Sequence, residues 1–243
     1  YQKAAARIRN SKRTCAFTGS GISVESGIPP FRGKGGIYET YDSRYFDLSY
    51  FLAEPENCWK LLKEIFFDHL GKAEPNYAHC ALADLEKHGL LQTVITQNID
   101  NLHRLAGSTV IHEFHGNSQY LTCLACSSKF PAENVALETL PPHCKMCGGI
   151  LKPDFVFFGE NIPEEAYTGS LYEAEHAEIF LVIGTTGEVM PASMIPALAK
   201  RNGATIIEIN PSPSNYTGEI TDFFIRLKAT EGMRRIMNEL DLQ

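Results

Sequence analysis

The chain has 243 residues, of which 44 % are hydrophobic and 21 % are charged, so it can bury the core of one full domain with a small satellite. Its 22 Lys and Arg against 29 Asp and Glu give a net charge of −7, which argues against a nucleic-acid-coating protein and is compatible with a basic peptide partner. No apolar run reaches the roughly 18 residues of a membrane span, and the first residues do not form a signal peptide. We expect a monomeric, intracellular, cytoplasmic protein that binds neither membrane nor nucleic acid; a nuclear location stays open for a eukaryotic source.

The predicted secondary structure alternates between helices and short buried strands. In chain order it comprises a helix over 3–13, a strand over 14–17, a loop over 33–49, a helix over 58–69 capped by Asn57, a helix from 76 to 89, strands over 90–96 and 109–114, a helix over 163–177, a strand over 178–183, a helix over 191–201, strands over 204–209 and 222–228, and a helix over 231–240. Continuous apolar strands between helices are typical of an α/β fold with a doubly wound parallel sheet.

A glycine turn follows the first predicted strand, and the site is expected to form around it. Gly19 and Gly21 can adopt positive φ and let backbone N–H groups approach an anion, while a helix beginning near Ser23 would point its positive end at the same place. Taken alone, the pair is more often an ordinary turn, because Val24 stands where the dinucleotide fingerprint has its third glycine. The Pro-Pro-Phe-Arg run at 29–32 cannot continue a helix and indicates a tethered lid beside a phosphate site.

Polar residues follow other predicted strands at their carboxyl ends, where ligands bind in open parallel α/β sheets. A polar cluster at 97–100 lies at one such end, and the small polar residues at 184–186 and 210–211 are suited to ribose and phosphate hydroxyls. His115 follows the strand at 109–114, and by itself such a residue is more often a structural histidine.

Four of the seven cysteines form a pattern typical of a zinc ribbon. Cys123 and Cys126 are followed, after seventeen residues, by Cys144 and Cys147, a spacing that suits one zinc ion held by four thiolates. Four protein ligands close the coordination shell, so the metal is expected to be structural rather than catalytic. The abrupt change to Cys-rich sequence around these pairs indicates an inserted module.

Together these motifs resemble the sirtuin family (silent information regulator type) of NAD-dependent protein-lysine deacetylases and deacylases over the whole chain. They occur in the family's order as Gly-Ser-Gly-Ile-Ser, Glu-Ser-Gly-Ile-Pro-Pro-Phe-Arg, Thr-Gln-Asn-Ile-Asp-Asn-Leu-His, His-Gly-Asn, the paired Cys-x-x-Cys, Phe-Gly-Glu, Gly-Thr-Thr and Ile-Asn-Pro. The resemblance implies a Rossmann-like NAD-binding domain at residues 1–33, 71–118 and 153–243, a cofactor loop and helical module at 34–70, and a zinc-binding module at 119–152.

The resemblance also implies the roles of individual residues. His115 would be the catalytic base, and one structural zinc ion per chain would be held by the four cysteines. The residues implied to bind NAD, as a co-substrate, are Gly19, Ser20, Gly21, Ile22, Ser23, Phe31, Arg32, Gln97, Asn98, Ile99, Asp100, Gly184, Thr185, Thr186, Asn210, Pro211, Ser212, Lys228 and Ala229. The residues implied to bind the acyl-lysine peptide as an added strand are Val156, Phe157, Phe158, Gly187, Glu188 and Val189.

The mechanism implied by the resemblance starts with attack of the acyl-lysine carbonyl oxygen on C1′ of the nicotinamide ribose, which expels nicotinamide and leaves an imidate. His115 then acts as general base on the ribose hydroxyls, a role suited to a side chain whose unperturbed pKa is about 6.5. Water finally releases deacylated lysine and O-acyl-ADP-ribose. NAD is consumed, so the implied enzyme is a transferase rather than an oxidoreductase.

The expected substrate carries an acetyl or a longer apolar acyl group. The subgroup of the family that prefers succinyl or malonyl lysine has a Tyr-x-x-Arg pair on the helix after the lid, and residues 59–65 contain no such pair. A dicarboxylate acyl group needs a buried cation, for which a bidentate Arg is the usual solution.

Two other functions stay open from the sequence: mono-ADP-ribosyl transfer to protein, and a non-catalytic binding module that depends on NAD and zinc. The role of His103 is open between orienting a site residue and simple packing. Five further histidines are expected to be structural or solvated, namely His69, His79, His88, His112 and His176.

Overall fold

The computed structural model describes residues 1–32, 35–69 and 73–242, except for the side chains of residues 68 and 69. The module boundaries predicted at 33/34 and 70/71, the final residue 243 and the side chain of His69 lie outside the described residues. Within the described ranges, no helix has both the length and the apolar character needed to cross a membrane.

Two β-sheets organise the described part of the chain. The strands are β1 (Thr14–Thr18), β2 (Thr93–Thr96), β3 (Ile111–Glu113), β4 (Gly116–Cys123), β5 (Lys129–Pro131), β6 (Leu151–Phe155), β7 (Ile179–Ile183), β8 (Thr205–Ile209) and β9 (Phe223–Ile225). Six of them form a parallel sheet in the order β3-β2-β1-β7-β8-β9, and the other three form an antiparallel sheet in the order β5-β4-β6. The order of the parallel sheet reverses between β1 and β7, which is the switch point where ligands bind in doubly wound folds.

Helices cover both faces of the parallel sheet. They are α1 (Gln2–Asn10), α2 (Ile37–Thr40), α3 (Leu48–Ala53), α4 (Pro55–Leu62), α5 (Tyr77–Lys87), α6 (Leu102–Leu105), α7 (Glu164–His176), α8 (Met194–Arg201) and α9 (Ala229–Glu239). Alternate residues of β1 face opposite layers, so Ala16 packs in the core beneath α1, α5 and α9, whereas Phe17 packs in the core beneath α7 and α8. The predicted α/β fold with a doubly wound parallel sheet is confirmed, and its apolar strands are explained by burial on both faces.

The glycine turn differs from its prediction. Gly19 has an extended backbone (φ −124°), and two 3-10 turns, Ser20–Ile22 and Val24–Ser26, replace the helix expected near Ser23. The chain then reverses through Gly27, whose φ is 88°. The prediction of a helix there is therefore wrong, and neither glycine of the turn uses the positive φ that is open to it. The segment before the proline pair is too short to offset the cost of nucleating an α-helix, and tight turns form instead.

The stretch predicted as a loop over 33–49 contains helical structure in its described part. It includes α2, a 3-10 turn and the start of α3. Two aspartates cap these short elements: Asp42 accepts a hydrogen bond from the backbone N–H of Arg44, and Asp47 accepts from those of Ser49 and Tyr50. Such caps are local side-chain interactions that a search for apolar periodicity overlooks.

The next helix begins earlier than expected and continues in a different geometry. α4 starts at Pro55, a residue favoured in the first turn, so Asn57 lies inside the helix and the prediction that it caps the helix is wrong. A π-helical segment, Lys63–His69, follows α4 directly. Trp59 ties α4 to the antiparallel sheet, because its indole N–H donates to the carbonyl of Leu151 at 2.8 Å.

The antiparallel sheet extends past both predicted borders of the zinc module. β4 pairs with β6 from Cys123 opposite Leu151 to Gly116 opposite Phe155, so the two strands run from the cysteine pairs to the parallel sheet. A third apolar core joins this sheet to the segment with α3 and α4, and it includes Trp59. The two small modules therefore share one core, while the division of the chain into domains stays a prediction.

Candidate active site

The switch point brings two glycine turns into direct contact. The N–H of Gly21 donates to the carbonyl of Gly184 at 2.8 Å, and the N–H of Gly19 donates to Ile183 at 3.0 Å. A Cβ atom at Gly19 would lie 2.8 Å from the Gly184 oxygen, and one at Gly21 would lie 2.7 Å from the Gly184 Cα. Both positions therefore require glycine for close packing. The same contacts occupy the two N–H groups that the sequence interpretation assigned to an anion.

A cavity of about 620 Å³ opens at this switch point and holds most of the predicted site. The predicted residues that line it are Gly19, Ser20, Gly21, Phe31, Arg32, Gln97, Asn98, Ile99, His115, Val156, Phe157, Phe158, Gly184, Thr185, Thr186, Val189, Asn210, Pro211, Ser212, Lys228 and Ala229. The cavity thus collects residues from the ends of β1, β2, β7 and β8 and from the segment after β6.

Five predicted residues do not line this cavity, and the structure places each of them nearby. Ile22 is fully buried in the core, and Ser23 is buried beneath the glycine turn. Asp100 lines a smaller pocket of about 150 Å³ that shares Ser20 and Asn98 with the large one. The other two are Gly187 and Glu188, and the carboxylate of Glu188 lies 3.8 Å from the guanidinium of Arg32 in the lid.

A buried polar cluster forms around Ser23 behind the cavity. The Ser23 hydroxyl donates to the carboxylate of Asp100 at 2.6 Å and accepts from the amide of Asn98 at 3.1 Å, and the His79 ring lies 3.4 Å away. Burial raises the pKa of Asp100 above its ordinary value, although the Ser23 hydrogen bond opposes this shift. Burial lowers the pKa of His79 to about 4, so this ring is neutral near pH 7. We expected His79 to be structural or solvated; it is buried and contacts a predicted cofactor residue.

His103 packs against the same cluster from the helix α6. Its Nε2 lies 2.8 Å from the Thr18 hydroxyl at the end of β1, and its ring stands edge-on to His79 with centroids 4.9 Å apart. Burial, and to a lesser degree the neighbouring His79, lowers the pKa of His103 well below its ordinary value. Both histidines are therefore neutral and fix the floor of the site by packing and hydrogen bonds.

His115 lies on the cavity wall in a defined tautomer. Its Nδ1 lies 3.0 Å from the carbonyl of Gln97, an acceptor that requires the proton on Nδ1 and leaves Nε2 as the basic nitrogen. Burial lowers the pKa of His115 below its ordinary value, and the Gln97 hydrogen bond opposes this only partly. At neutral pH the ring is uncharged, which is the form required of a proton acceptor.

The segment predicted to bind a peptide is fixed by its own backbone donors. The N–H groups of Val156, Phe157 and Phe158 donate to the His115 carbonyl, the Glu160 carboxylate and the Phe46 carbonyl respectively. Two of its carbonyl oxygens are engaged as well, because Phe157 accepts from the N–H of Glu160 and Phe158 accepts from that of Leu48, both at 3.0 Å.

The sequence interpretation missed an ion pair that supports this segment. Lys152 is buried, donates to the carbonyls of Pro153 and Phe155 at 2.8 Å, and lies 3.0 Å from the carboxylate of Glu160 on the cavity wall. Burial lowers the pKa of Lys152, and Glu160 opposes the shift. The sequence signal that could have predicted this ion pair was the presence of opposite charges, Lys152 and Glu160, on the two sides of the aromatic stretch at 155–158.

The four predicted metal ligands lie together at the end of the antiparallel sheet. The sulfur atoms of Cys123, Cys126, Cys144 and Cys147 all lie within 4.8 Å of one another. Two of the separations are 3.5 and 3.7 Å, and a tetrahedral zinc site with 2.3 Å bonds requires about 3.8 Å. Backbone N–H groups two residues after Cys123 and Cys144 donate to those sulfurs at 3.4 Å, which favours thiolates. The donor set therefore fits a structural zinc ion.

The fold and the cavity define an α/β dinucleotide-binding domain with an added metal module. The model of the Sir2 family matches residues 19–191, and the chain belongs to the Sir2 family. It is 42 % identical over 239 residues to an NAD-dependent protein deacylase of Pyrococcus furiosus, which covers 96 % of this chain and 95 % of that protein. It is 40 % identical to NAD-dependent protein deacylase 2 of Pyrobaculum aerophilum, over 96 % of this chain and 93 % of that protein.

Solved structures agree with this assignment. A Sir2 with a deacetylated p53 peptide and 3′-O-acetyl ADP-ribose has a TM-score of 0.94 and 35 % identity, and the match covers 100 % of this chain and 99 % of that chain. Sir2Tm bound to a propionylated peptide has a TM-score of 0.91 and 33 % identity, over 100 % of this chain and 99 % of that chain. The family resemblance of the sequence motifs is therefore confirmed.

Removal of the metal is expected to unfold the antiparallel sheet and to be visible at Trp59, the single tryptophan of the chain. Trp59 shares a core with Cys123 and Cys144, and metal binding at such sites contributes about 10–16 kcal/mol of apparent energy to folding. Chelation, or the substitution Cys144→Ser, should abolish bound zinc and shift the Trp59 emission to longer wavelength. The control Cys80→Ser alters an exposed thiol outside the cluster and should change neither property. An unchanged emission after complete metal loss would contradict this role.

Proposed function

We propose that this chain is an NAD-dependent protein-lysine deacylase that releases nicotinamide, deacylated lysine and O-acyl-ADP-ribose. The observation that carries the proposal is His115: a ring neutral at pH 7, with its basic nitrogen defined by the Gln97 carbonyl, on the wall of a cavity at the sheet's switch point. The relatives named as NAD-dependent protein deacylases support it, and so do the similar structures solved with acylated peptides.

The cavity suits an NAD molecule by its shape and by its polar groups. Neither Gly21 nor Gly184 carries a side chain, and their contact leaves no room for one. No side chain therefore keeps a ligand away from the backbone there. Asn210, which is 6 % exposed, lines the cavity and carries an amide. Ser212 and Lys228 also line it and carry a hydroxyl and an ammonium group respectively. When bound, NAD would supply a ribose carbon from which nicotinamide can leave as the acyl oxygen attacks.

The residues of the chain position the groups around that carbon and move one proton. Asn98 and Asp100 lie next to the lid at the junction of the two pockets, where they would hold the nicotinamide end. Nε2 of His115 would take the proton of a ribose hydroxyl, and the Gln97 carbonyl would stabilise the resulting cation through Nδ1. Val156–Phe158 and Gly187–Val189 would hold the peptide backbone near the cavity mouth.

The preferred acyl group is proposed to be acetyl or a longer apolar chain. Among the described residues that line the cavity, Arg32 and Lys228 carry the positive charges. Arg32 belongs to the lid and lies close to Glu188, and Lys228 precedes α9 at the proposed adenosine end. The helix after the lid contributes apolar Ile65 and Phe66 to the core. A second carboxylate on the acyl group would therefore be buried without a cation partner.

We propose a cytoplasmic location, because its reducing conditions suit a chain in which none of the seven cysteines forms a disulfide. The monomeric state and the absence of nucleic-acid binding remain predictions from the sequence. The net charge of −7 supports the second of these.

Mass spectrometry of an acetyl-lysine peptide incubated with the protein and NAD tests the proposed reaction. We expect nicotinamide, deacetylated peptide and O-acetyl-ADP-ribose in equal amounts, and His115→Ala should slow acyl release by at least about 100-fold, the usual contribution of a general base. His112→Gln is the matched control, since His112 is a partly buried histidine outside the lining of the cavity. Nicotinamide release with the acetyl group retained would indicate ADP-ribosyl transfer, and NAD binding without turnover would indicate a binding module.

The acid limb of the pH profile should report His115. Because burial lowers its pKa, the neutral base persists to more acidic pH, so the midpoint of the fall in kcat/KM should lie below about pH 6.5. Measurement of kcat/KM between pH 5 and 8 checks this, and His112→Gln should leave the limb in place although its pKa is also lowered by burial. A midpoint above 6.5 would show that another group, or a charged His115, controls the reaction.

Acyl preference can be tested on one peptide with acetyl, butyryl or succinyl lysine. Butyryl and succinyl groups have nearly the same length, so their comparison isolates the terminal carboxylate. We expect removal of the succinyl group to be at least about tenfold slower than removal of the butyryl group, because a buried unpaired charge is strongly disfavoured. Faster removal of succinyl than of acetyl would refute the preference.

A further inference from the structure

Glu208 is a fully buried carboxylate near the end of β8, two residues before Asn210. Its Oε1 accepts hydrogen bonds from the Ser214 hydroxyl at 2.5 Å and the Asn210 amide at 3.1 Å. Its Oε2 accepts from the hydroxyls of Thr217 and Thr221, both at 2.7 Å. A buried carboxylate is tolerated only when hydrogen bonds replace its hydration. All four donors come from one loop, residues 210–221, so the hydrogen bonds to a single carboxylate fix the conformation of this loop.

The first consequence of this arrangement is the orientation of Asn210. Its amide nitrogen donates to Glu208 and also to the carbonyl of Thr185 at 2.9 Å, so both of its N–H groups are engaged. The oxygen of the side chain is then the atom left to accept a hydrogen bond in the cavity. Without the Glu208 carboxylate, the amide could rotate and present a donor in its place.

The second consequence is the position of the segment on the opposite rim. Within the same loop, the backbone N–H of Asn215 donates to the carbonyl of Thr186 at 2.9 Å, and its side chain donates to the carbonyl of Gly187 at 3.2 Å. The Tyr216 ring fills the space beside Gly187, where a Cβ atom would lie 2.8 Å from the ring. The Tyr216 hydroxyl also donates to the carbonyl of Ser193 at 3.1 Å.

We propose that Glu208 is a positioning residue that fixes the adenosine side and the peptide side of the site through one loop. Asn210 transmits its effect to the cofactor, whereas Asn215 and Tyr216 transmit it to the segment 186–189. Order imposed on this loop by one ligand therefore favours binding of the other, and linkage makes the effect reciprocal. The inference rests on the proposed function, because that function assigns Asn210 to NAD and the segment 186–189 to the peptide.

Direct binding measurements on Glu208→Gln test this role without turnover. Gln keeps the size of the side chain but removes the charge and places an amide donor opposite hydroxyl donors, so the loop loses part of its support. We expect isothermal titration to show ADP-ribose binding weakened by about tenfold and acetyl-lysine peptide binding by about threefold. The proposal also predicts that saturating ADP-ribose raises the peptide affinity of the wild-type protein and that Glu208→Gln loses this increase; no increase in the wild-type protein would contradict the coupling.

The matched control is Glu173→Gln, which lies at the opposite end of the parallel strands. Glu173 is also a buried carboxylate; it binds Arg13 through two hydrogen bonds and accepts from Cys15, at the amino end of β1 and away from the cavity. This variant should lower the thermal stability and leave both dissociation constants unchanged. Glu208→Gln with wild-type affinity for both ligands, or with lowered stability alone, would overturn the proposal.

Two smaller changes keep the test decisive if Glu208→Gln does not fold. Thr217→Val and Thr221→Val each remove one donor to the carboxylate from residues outside the cavity lining. Each should weaken ADP-ribose binding by about threefold, and normal binding by both would refute the role of Glu208. If the wild-type protein binds both ligands without releasing nicotinamide, the proposed function fails while these comparisons still decide the inference.

Discussion

The site depends on the close approach of two glycine turns at the ends of β1 and β7. Gly21 donates to the carbonyl of Gly184, which itself has a positive φ of 64° and whose added Cβ would collide with the backbone nitrogen of Ile22. A parallel sheet whose strand order reverses here leaves a crevice, and the absence of side chains at the contact lets that crevice reach the backbone. Residues on either side of this contact also hold the surrounding segments: Ser20 accepts from the N–H of Phe31, Thr18 from that of Gln97, and Thr185 from the amide of Asn210.

Burial then determines the protonation of the groups around the crevice. The rings of His79, His103 and His115 are neutral because the protein removes them from water, and the pKa of Asp100 rises for the same reason. Hydrogen bonds counter these shifts only partly, as the Ser23 hydroxyl does for Asp100. The same low-dielectric surroundings make unpaired charges costly. They therefore keep Nε2 of His115 unprotonated, and able to accept a proton, at neutral pH.

Charges that stay buried in this protein are used to fix backbone segments. Lys152 and Glu160 clamp the aromatic segment after β6, and Glu208 gathers four donors from the loop after β8. The first segment is one side of the proposed peptide site, and the loop after β8 supports the other side through hydrogen bonds from Asn215 to Thr186 and Gly187. In both cases the charged side chain, Lys152 or Glu208, is buried and lies next to the segment along the chain. The metal module contributes to the same geometry, because β4 and β6 connect its cysteines to Gly116 and Phe155 next to His115.

The sequence by itself determined the elements that depend on near neighbours along the chain. The apolar runs of β1, β2, β7 and β8 predicted a doubly wound parallel sheet, and the cysteine spacing predicted a metal cluster, because periodicity and turn geometry are local properties. The motifs also indicated the residues that line most of the cavity.

Only the tertiary structure decided why those residues are suited to the site. Gly19 and Gly21 are needed for contact with Gly184 rather than for positive φ, and His79 contacts Ser23 across 56 residues of sequence. Glu208 gave no recognisable pattern, because its partners are brought together by a folded loop, whereas the opposite charges of Lys152 and Glu160 were a signal that the sequence interpretation missed. The reason is physical: desolvation, close backbone packing and hydrogen bonds between distant segments exist only after the chain has brought those segments together.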